Sequence, residues 1–113
     1  MISNQQSSTR IDEIASDIYR ISTPVPPETI PGGFTFNQYL IVDDAPLLYH
    51  TGPRKMFPLV QEAINSVIPA SSLRYIGFSH YEADECGSLN DFLEIAPTAE
   101  PLCSGIAKMV SID

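Results

Sequence analysis

Alternating hydrophobic and polar positions predict three β-strands in the first half of the chain. Residues 17–23 (DIYRIST) alternate apolar and polar side chains, and the proline-rich segment TPVPPETIPGG that follows cannot continue a strand or a helix. Residues 34–44 (FTFNQYLIVDD) predict a second strand, and their segment YLIV is apolar on both faces, as in a strand buried within layers. After the Asp43–Asp44 turn, APLLYHTG predicts a third strand, which should form a hairpin with the second.

The segment after these strands has apolar residues at the spacing of an α-helix. Residues 57–69 (FPLVQEAINSVIP) predict a helix with Pro58 in its first turn and Pro69 at its end. The positions that give this helical spacing are apolar: Leu59, Val60, Ala63, Ile64 and Val67. Residues 73–79 (LRYIGFS) then predict a strand that leads directly into the polar segment 79–92 (SHYEADECGSLNDF).

The last third of the chain continues the alternation of helices and strands. From Glu85 or Gly87 to Pro97 the sequence predicts a helix, because Leu89, Phe92, Leu93 and Ala96 recur at helical spacing. AEPLCSG predicts a short strand, and GIAKMVSI, at residues 105–112, a short helix. This order predicts a layered α/β domain, in which segment 79–92 lies at the carboxyl edge of the sheet, where such folds place ligand sites.

Composition and charge narrow the function classes. The chain has 113 residues, 43% of them hydrophobic, which predicts a single domain whose polar residues 1–10 are disordered. Its net charge is −8, and its six Lys and Arg residues are scattered, which argues against binding of nucleic acid or an anionic membrane. No apolar run is long enough to span a bilayer, and the start does not resemble a signal peptide, so we expect a cytoplasmic protein. Cys86 and Cys103 form no CxxC motif and are expected to be reduced.

The polar segment contains candidate metal ligands. His80, Glu82 and Asp84 alternate along the chain, so an extended backbone could direct several of them into one pocket. Imidazole nitrogen and carboxylate oxygen suit iron, manganese or zinc better than Cu(I). The alternative is that Asp84 and Glu85 only complement the dipole at the start of a helix. From spacing alone, both interpretations stay open.

The chain from about residue 18 to 104 resembles the N-terminal half of a metallo-β-lactamase-fold domain of the oxygen-binding di-iron, flavodiiron-like branch. The resemblance rests on FNQYLIVDD, LLYHTG, MFPLV and above all FSHYEADECGSLNDF. That branch has the pattern H-x-E-x-D, whereas zinc hydrolases of the superfamily have H-x-H-x-D-H. By resemblance, His80 and Glu82 bind one iron and Asp84 the other, with zinc or manganese as alternative metals.

The resemblance also implies an incomplete site and an incomplete fold. The family's remaining ligands, a His, a bridging Asp and a last His, lie in the second half of a four-layer αββα sandwich. This chain should therefore form one mixed sheet with helices on one face and leave the other face uncovered. Either the sequence is a fragment of a longer protein, or the chain pairs with another chain, as in a homo-oligomer. The family's FMN lies in a separate domain, so the expected partners are O2 or NO and a flavoprotein or rubredoxin-like electron donor.

Three neighbouring residues have other expected roles. Glu85 occupies a position where most members of the superfamily have a further His, which disfavours a hydrolase. Cys86 is expected to be a small buried residue at the helix start, and His50 to have a structural or supporting role.

The sequence therefore leaves three functions open. The first is a di-iron domain that binds or reduces O2 or NO, and the second is a metal-dependent hydrolase, which Glu82 and Glu85 disfavour. The third is a non-catalytic half of the fold that binds a partner chain.

Overall fold

The computed structural model describes residues 1–79 and 82–103 and contains a seven-stranded sheet whose strands follow one another in chain order. Neighbouring strands from the first to the fifth are antiparallel, whereas the fifth, sixth and seventh are parallel. The strands are β1 (Ile2–Asn4), β2 (Thr9–Ala15), β3 (Ile18–Val25), β4 (Phe34–Ile41), β5 (Leu47–Tyr49), β6 (Tyr75–Phe78) and β7 (Glu100–Cys103). The predicted hairpin of the second and third sequence strands is confirmed as β4 and β5.

Three short α-helices accompany the sheet in the described part of the chain: α1 (Phe57–Asn65), α2 (Ala83–Cys86) and α3 (Leu89–Ile95). Pro58 lies in the first turn of α1, as predicted. The helix ends at Asn65, before Pro69, because the chain turns at Ser66, whose hydroxyl donates to the Ala63 carbonyl at 2.6 Å. No helix among residues 1–79 and 82–103 is long and apolar enough to cross a membrane.

One face of the sheet forms the hydrophobic core with the helices. Paired residues in neighbouring strands point to the same face, and the register places Ile11 beside Ile21, Leu40 beside Leu48, and Leu48 beside Ile76. These side chains pack against buried residues of α1 and α3 and against Ala96, which directly follows α3. The helical residues are Val60, Ala63, Ile64 and Phe92. The predicted fold class, one mixed sheet with helices on one face, is confirmed.

The opposite face of the sheet, here called the open face, is also rich in apolar side chains. The register places six of them on it: Tyr39, Ile41, Leu47, Tyr49, Tyr75 and Leu102. Leu102 is 47% exposed and Tyr49 is 36% exposed. The described residues therefore leave part of an apolar face in contact with solvent.

The prediction that residues 1–10 are disordered is wrong. This segment contains β1 and the start of β2, and the sequence analysis also missed the rest of β2. β2 makes one polar and one apolar buried contact with β3: the Thr9 and Thr23 hydroxyls lie 2.8 Å apart, and Ile11 lies beside Ile21. The predicted strand AEPLCSG corresponds to β7, whereas the predicted helix at 105–112 lies outside the described residues.

Candidate functional site

The polar segment 79–92 lies where β6 ends and two short helices begin. β6 ends at Phe78, α2 begins at Ala83, and α3 begins at Leu89. Glu82 is the N-cap of α2 and has an extended backbone, with φ −133° and ψ 158°. The predicted strand-to-helix position at the carboxyl edge of the parallel strands is therefore confirmed.

The three predicted metal ligands are described to different extents. His80 lies outside the described residues, and of Asp84 only the backbone is described, within α2. The Glu82 side chain is exposed, and within the described part of the chain it makes no capping hydrogen bond to α2. The Glu82 carbonyl instead accepts from the Cys86 amide at 2.9 Å. Convergence of the three side chains stays a prediction.

His50 lies beside the start of the segment. It follows β5 directly, adopts a positive φ of 66°, and donates its backbone N–H to the Gly77 carbonyl at 2.7 Å. Its ring stacks on Tyr49, with centroids 4.4 Å apart, and its Nε2 lies 3.0 Å from the Ser79 hydroxyl. His50 is thus tied to the residue that precedes His80.

Thr51 and Gly52, which follow His50 in the turn after β5, contact the segment at Glu85 and Ser88. The Thr51 amide donates to the Glu85 carbonyl at 2.7 Å, and the Ser88 amide donates to the Thr51 hydroxyl at 3.1 Å. The Ser88 hydroxyl donates to the Thr51 carbonyl at 3.1 Å, with the Gly52 carbonyl 3.3 Å away. Thr51 and Ser88 are completely buried, so these bonds are shielded from water. Nothing local in the sequence indicated their pairing.

Gln38 is a third buried polar residue at this edge of the sheet, after Thr51 and Ser88, that the sequence analysis did not single out. It lies on the core face of β4, and neither atom of its amide has a hydrogen-bond partner among the described residues. A Cβ added at Gly52 would lie 3.0 Å from Gln38 Nε2, so the turn packs directly on this amide. The signal was a polar residue between Phe36 and Leu40, at an inward position of an alternating strand.

Cys86 is buried, as was expected of it. It is 9% exposed and packs with Phe78 near the end of β6. Its thiol lies 3.4 Å from the Glu82 carbonyl oxygen, so it contacts the backbone of the segment from inside. The predicted burial of Cys86 is confirmed, but the predicted position is wrong, because Cys86 is the last residue of α2 rather than a residue at a helix start.

Comparison with known proteins identifies the family. The family described as ODP family beta lactamase matches residues 34–110, well over half of the chain and all of segment 79–92. The chain belongs to this family. A Nostoc sp. (strain PCC 7120) protein that carries the name diflavin flavoprotein A 2 is 36% identical over 78 residues, 69% of this chain but only 14% of the relative.

Solved structures agree on the fold. The flavodiiron core of Flv1 from Synechocystis sp. PCC6803 superposes with a TM-score of 0.77 at 23% identity, covering 89% of this chain and 27% of that one. Rubredoxin oxygen:oxidoreductase from Desulfovibrio gigas gives a TM-score of 0.81 at 20% identity, covering 90% and 27% respectively. The resemblance to the metallo-β-lactamase fold of flavodiiron proteins is therefore confirmed, and the chain spans about a quarter of these structures.

Proposed function

We propose that this chain supplies the His80, Glu82 and Asp84 part of a di-iron centre that binds or reduces O2 or NO. It would be the N-terminal half of a metallo-β-lactamase-like domain, with the remaining ligands in a part of the domain that it does not span. The observation that carries the proposal is the position of Glu82 at the carboxyl edge of β6, within the matched residues 34–110. The names of the similar proteins, a diflavin flavoprotein, a flavodiiron core and a rubredoxin oxygen:oxidoreductase, support the same function.

The residues present fit a metal of this type. Glu82 has an exposed carboxylate that is not used to cap α2 in the described structure, and the backbone of Asp84 follows within the first turn. Together with the imidazole of His80, this set offers nitrogen and oxygen donors that iron accepts, with zinc or manganese as alternatives. When bound, the irons would supply the electrons for reduction of O2 or NO. The residues of this chain would hold them at the sheet edge.

The expected electron donor is a flavoprotein or a rubredoxin-like protein. The relatives bear the names of a diflavin flavoprotein and of a rubredoxin oxygen:oxidoreductase, and these names motivate the proposal for this chain. A cytoplasmic location and association into homo-oligomers also stay predictions. The open face offers a surface for that association, because Leu102 and Tyr49 are partly exposed on it.

Metal content tests the proposal. We expect the chain to bind Fe(II) weakly after anaerobic dialysis, because three side chains can give two irons only part of their ligands. Glu82→Gln should weaken binding further, since it removes a carboxylate ligand, whereas Glu94→Gln, at an exposed position of α3, should not. A chain extended through the missing half of the domain should retain two irons and take up oxygen with a flavoprotein donor and NADH.

Two results would contradict the proposal. If Glu82→Gln and Glu94→Gln retained equal amounts of iron, Glu82 would not be a ligand. If the 113-residue chain held two irons and matched the extended chain in oxygen uptake, Glu85, Cys86 or His50 would have to complete the site. Zinc-dependent hydrolysis without oxygen uptake would instead support the metal-dependent hydrolase.

A further inference from the structure

A single turn of three residues contacts residues 79–88, here called the candidate metal segment, at both ends. His50, Thr51 and Gly52 follow β5, and segment 79–88 follows the neighbouring parallel strand β6. At the first end, His50 Nε2 lies 3.0 Å from the Ser79 hydroxyl. At the second end, the buried Ser88 hydroxyl donates to the Thr51 carbonyl at 3.1 Å, and its amide donates to the Thr51 hydroxyl at 3.1 Å.

Helix α2, which lies between these contacts, cannot fix its own position. It has only four residues. An isolated helix of that length is unstable in water, because fixing the backbone of the first turn loses more free energy than its one hydrogen bond gains. In the described structure its N-cap residue, Glu82, makes no side-chain capping bond. The location of the helix must therefore come from tertiary contacts, one of which is the bond from the Thr51 amide to the Glu85 carbonyl, at 2.7 Å.

We propose that the turn His50–Gly52 positions the ligands of segment 79–88, with His50 holding its start and Thr51 holding its end through Ser88. These are positioning residues, which act on a metal through Glu82 and its neighbours rather than by touching it. The inference rests on the proposed metal site. Partners of this kind orient ligands, and their removal typically lowers metal affinity by about 10–100-fold.

The experiment compares hydroxyl deletions inside and outside this turn. Thr51→Val removes the buried hydroxyl that accepts from the Ser88 amide. Thr23→Val is the matched control, because Thr23 is also buried and its hydroxyl is bonded to Thr9 in β2, away from the segment. Thr51→Ser restores a hydroxyl and should restore binding. His50→Asn tests the first end with a shorter side chain that tolerates positive φ.

Three measurements are made on the 113-residue chain: the Co(II) dissociation constant, the visible spectrum of bound Co(II), and amide hydrogen exchange of residues 79–88. We expect Thr51→Val and His50→Asn to weaken Co(II) binding by about 10–100-fold and to alter the spectrum. Both should also accelerate exchange in this segment. Thr23→Val should lower the unfolding temperature without changing the other readouts, and Thr51→Ser should behave like the unaltered chain.

The outcomes separate the inference from the proposed function. If Thr51→Val and His50→Asn bind Co(II) as tightly as Thr23→Val, the positioning inference is wrong while the metal site stands. If the unaltered chain binds no Co(II), the proposed function loses its support, and exchange alone decides whether the turn positions the segment. Equal exchange of residues 79–88 in Thr51→Val and Thr23→Val would then overturn the inference.

Discussion

Replacing Gly87 with alanine tests how closely the candidate metal segment packs on Pro53, just after the turn that follows β5. Gly87 follows α2 with φ −59° and ψ −32°, a helical conformation that any residue adopts. A glycine is therefore required there by space rather than by backbone geometry. An added Cβ would lie 2.9 Å from the Cα of Pro53 and would overlap the carbonyl oxygen of Ala83, both of which are backbone atoms.

Two opposing effects determine how much Gly87→Ala changes the unfolding free energy. Alanine in an unstrained helical conformation stabilises a protein by about 0.4–1 kcal/mol, mainly by restricting the unfolded chain. The contact with Pro53 would be about 0.6 Å shorter than the closest favourable carbon–carbon separation of about 3.5 Å. Overpacking of this kind costs about 1–3 kcal/mol, so the expected net loss of unfolding free energy is about 1–2 kcal/mol.

Urea denaturation followed by circular dichroism measures this loss. With a slope of about 2 kcal/mol per molar urea, the midpoint should fall by about 0.5–1 M. Gly77→Ala is the matched control, because its Cβ would meet only side-chain atoms, the nearest a ring carbon of Tyr49 at 3.1 Å and the next Leu47 Cδ1 at 3.6 Å, and the partly exposed Tyr49 side chain can move. A Gly87→Ala chain as stable as the unaltered one would refute the close packing of the segment on Pro53, the residue that directly follows the turn His50–Gly52.

Three further predictions concern the core, the charges and the open face. Phe92→Ala should lower the unfolding free energy by about 3–5 kcal/mol in the same assay, because Phe92 is fully buried and its ring centroid lies 4.8 Å from that of Phe57. A hydrogen bond from Arg10 holds the pKa of Asp12 well below its usual range, so its stabilisation is present above the unfolded pKa of about 3.9 and is lost as pH falls through the folded value. Asp12→Asn should therefore flatten the acid side of the stability–pH profile slightly, because the pair is exposed and screened by salt. The chain should self-associate, and Leu102→Glu should shift its sedimentation toward the monomer; a compact monomer of the unaltered chain would contradict this.

The elements that the sequence predicted are those with a recognisable hydrophobic pattern. Helix α1 has apolar residues at helical spacing, so burial of one face determines its conformation, whereas the end of β4 is apolar on both faces, as in a strand within a layered sheet. Strands β1 and β2 were missed because most of their residues are polar and their one buried apolar residue, Ile11, forms no hydrophobic period. Thr9 is buried against Thr23, and Arg10 pairs with Asp12 on the other face. In the sequence alone, this run of polar residues resembles a disordered terminus.

The sequence predicted the location of the candidate site, but it did not predict the contacts that hold the site in place. The sequence of 79–92 contains its own evidence, since ligand-type side chains directly follow a buried strand. The contact between Thr51 and Ser88 joins residues 37 positions apart, and no periodicity connects them. It arises because β5 and β6 are parallel neighbours, whose carboxyl ends meet at one edge of the sheet.

The same two strands connect the candidate site to the open face. β5 and β6 place Tyr49 and Tyr75 on that face, while the turn after β5 and the segment after β6 form the site at their carboxyl ends. A segment or partner that covers the open face would therefore rest on the strands that position Glu82. If it also supplies the missing ligands, its binding and metal binding must strengthen each other by the same factor, because coupling between two binding events is reciprocal. We therefore expect iron to promote association of the chain with the partner that completes the site, and that partner to raise the affinity for iron equally.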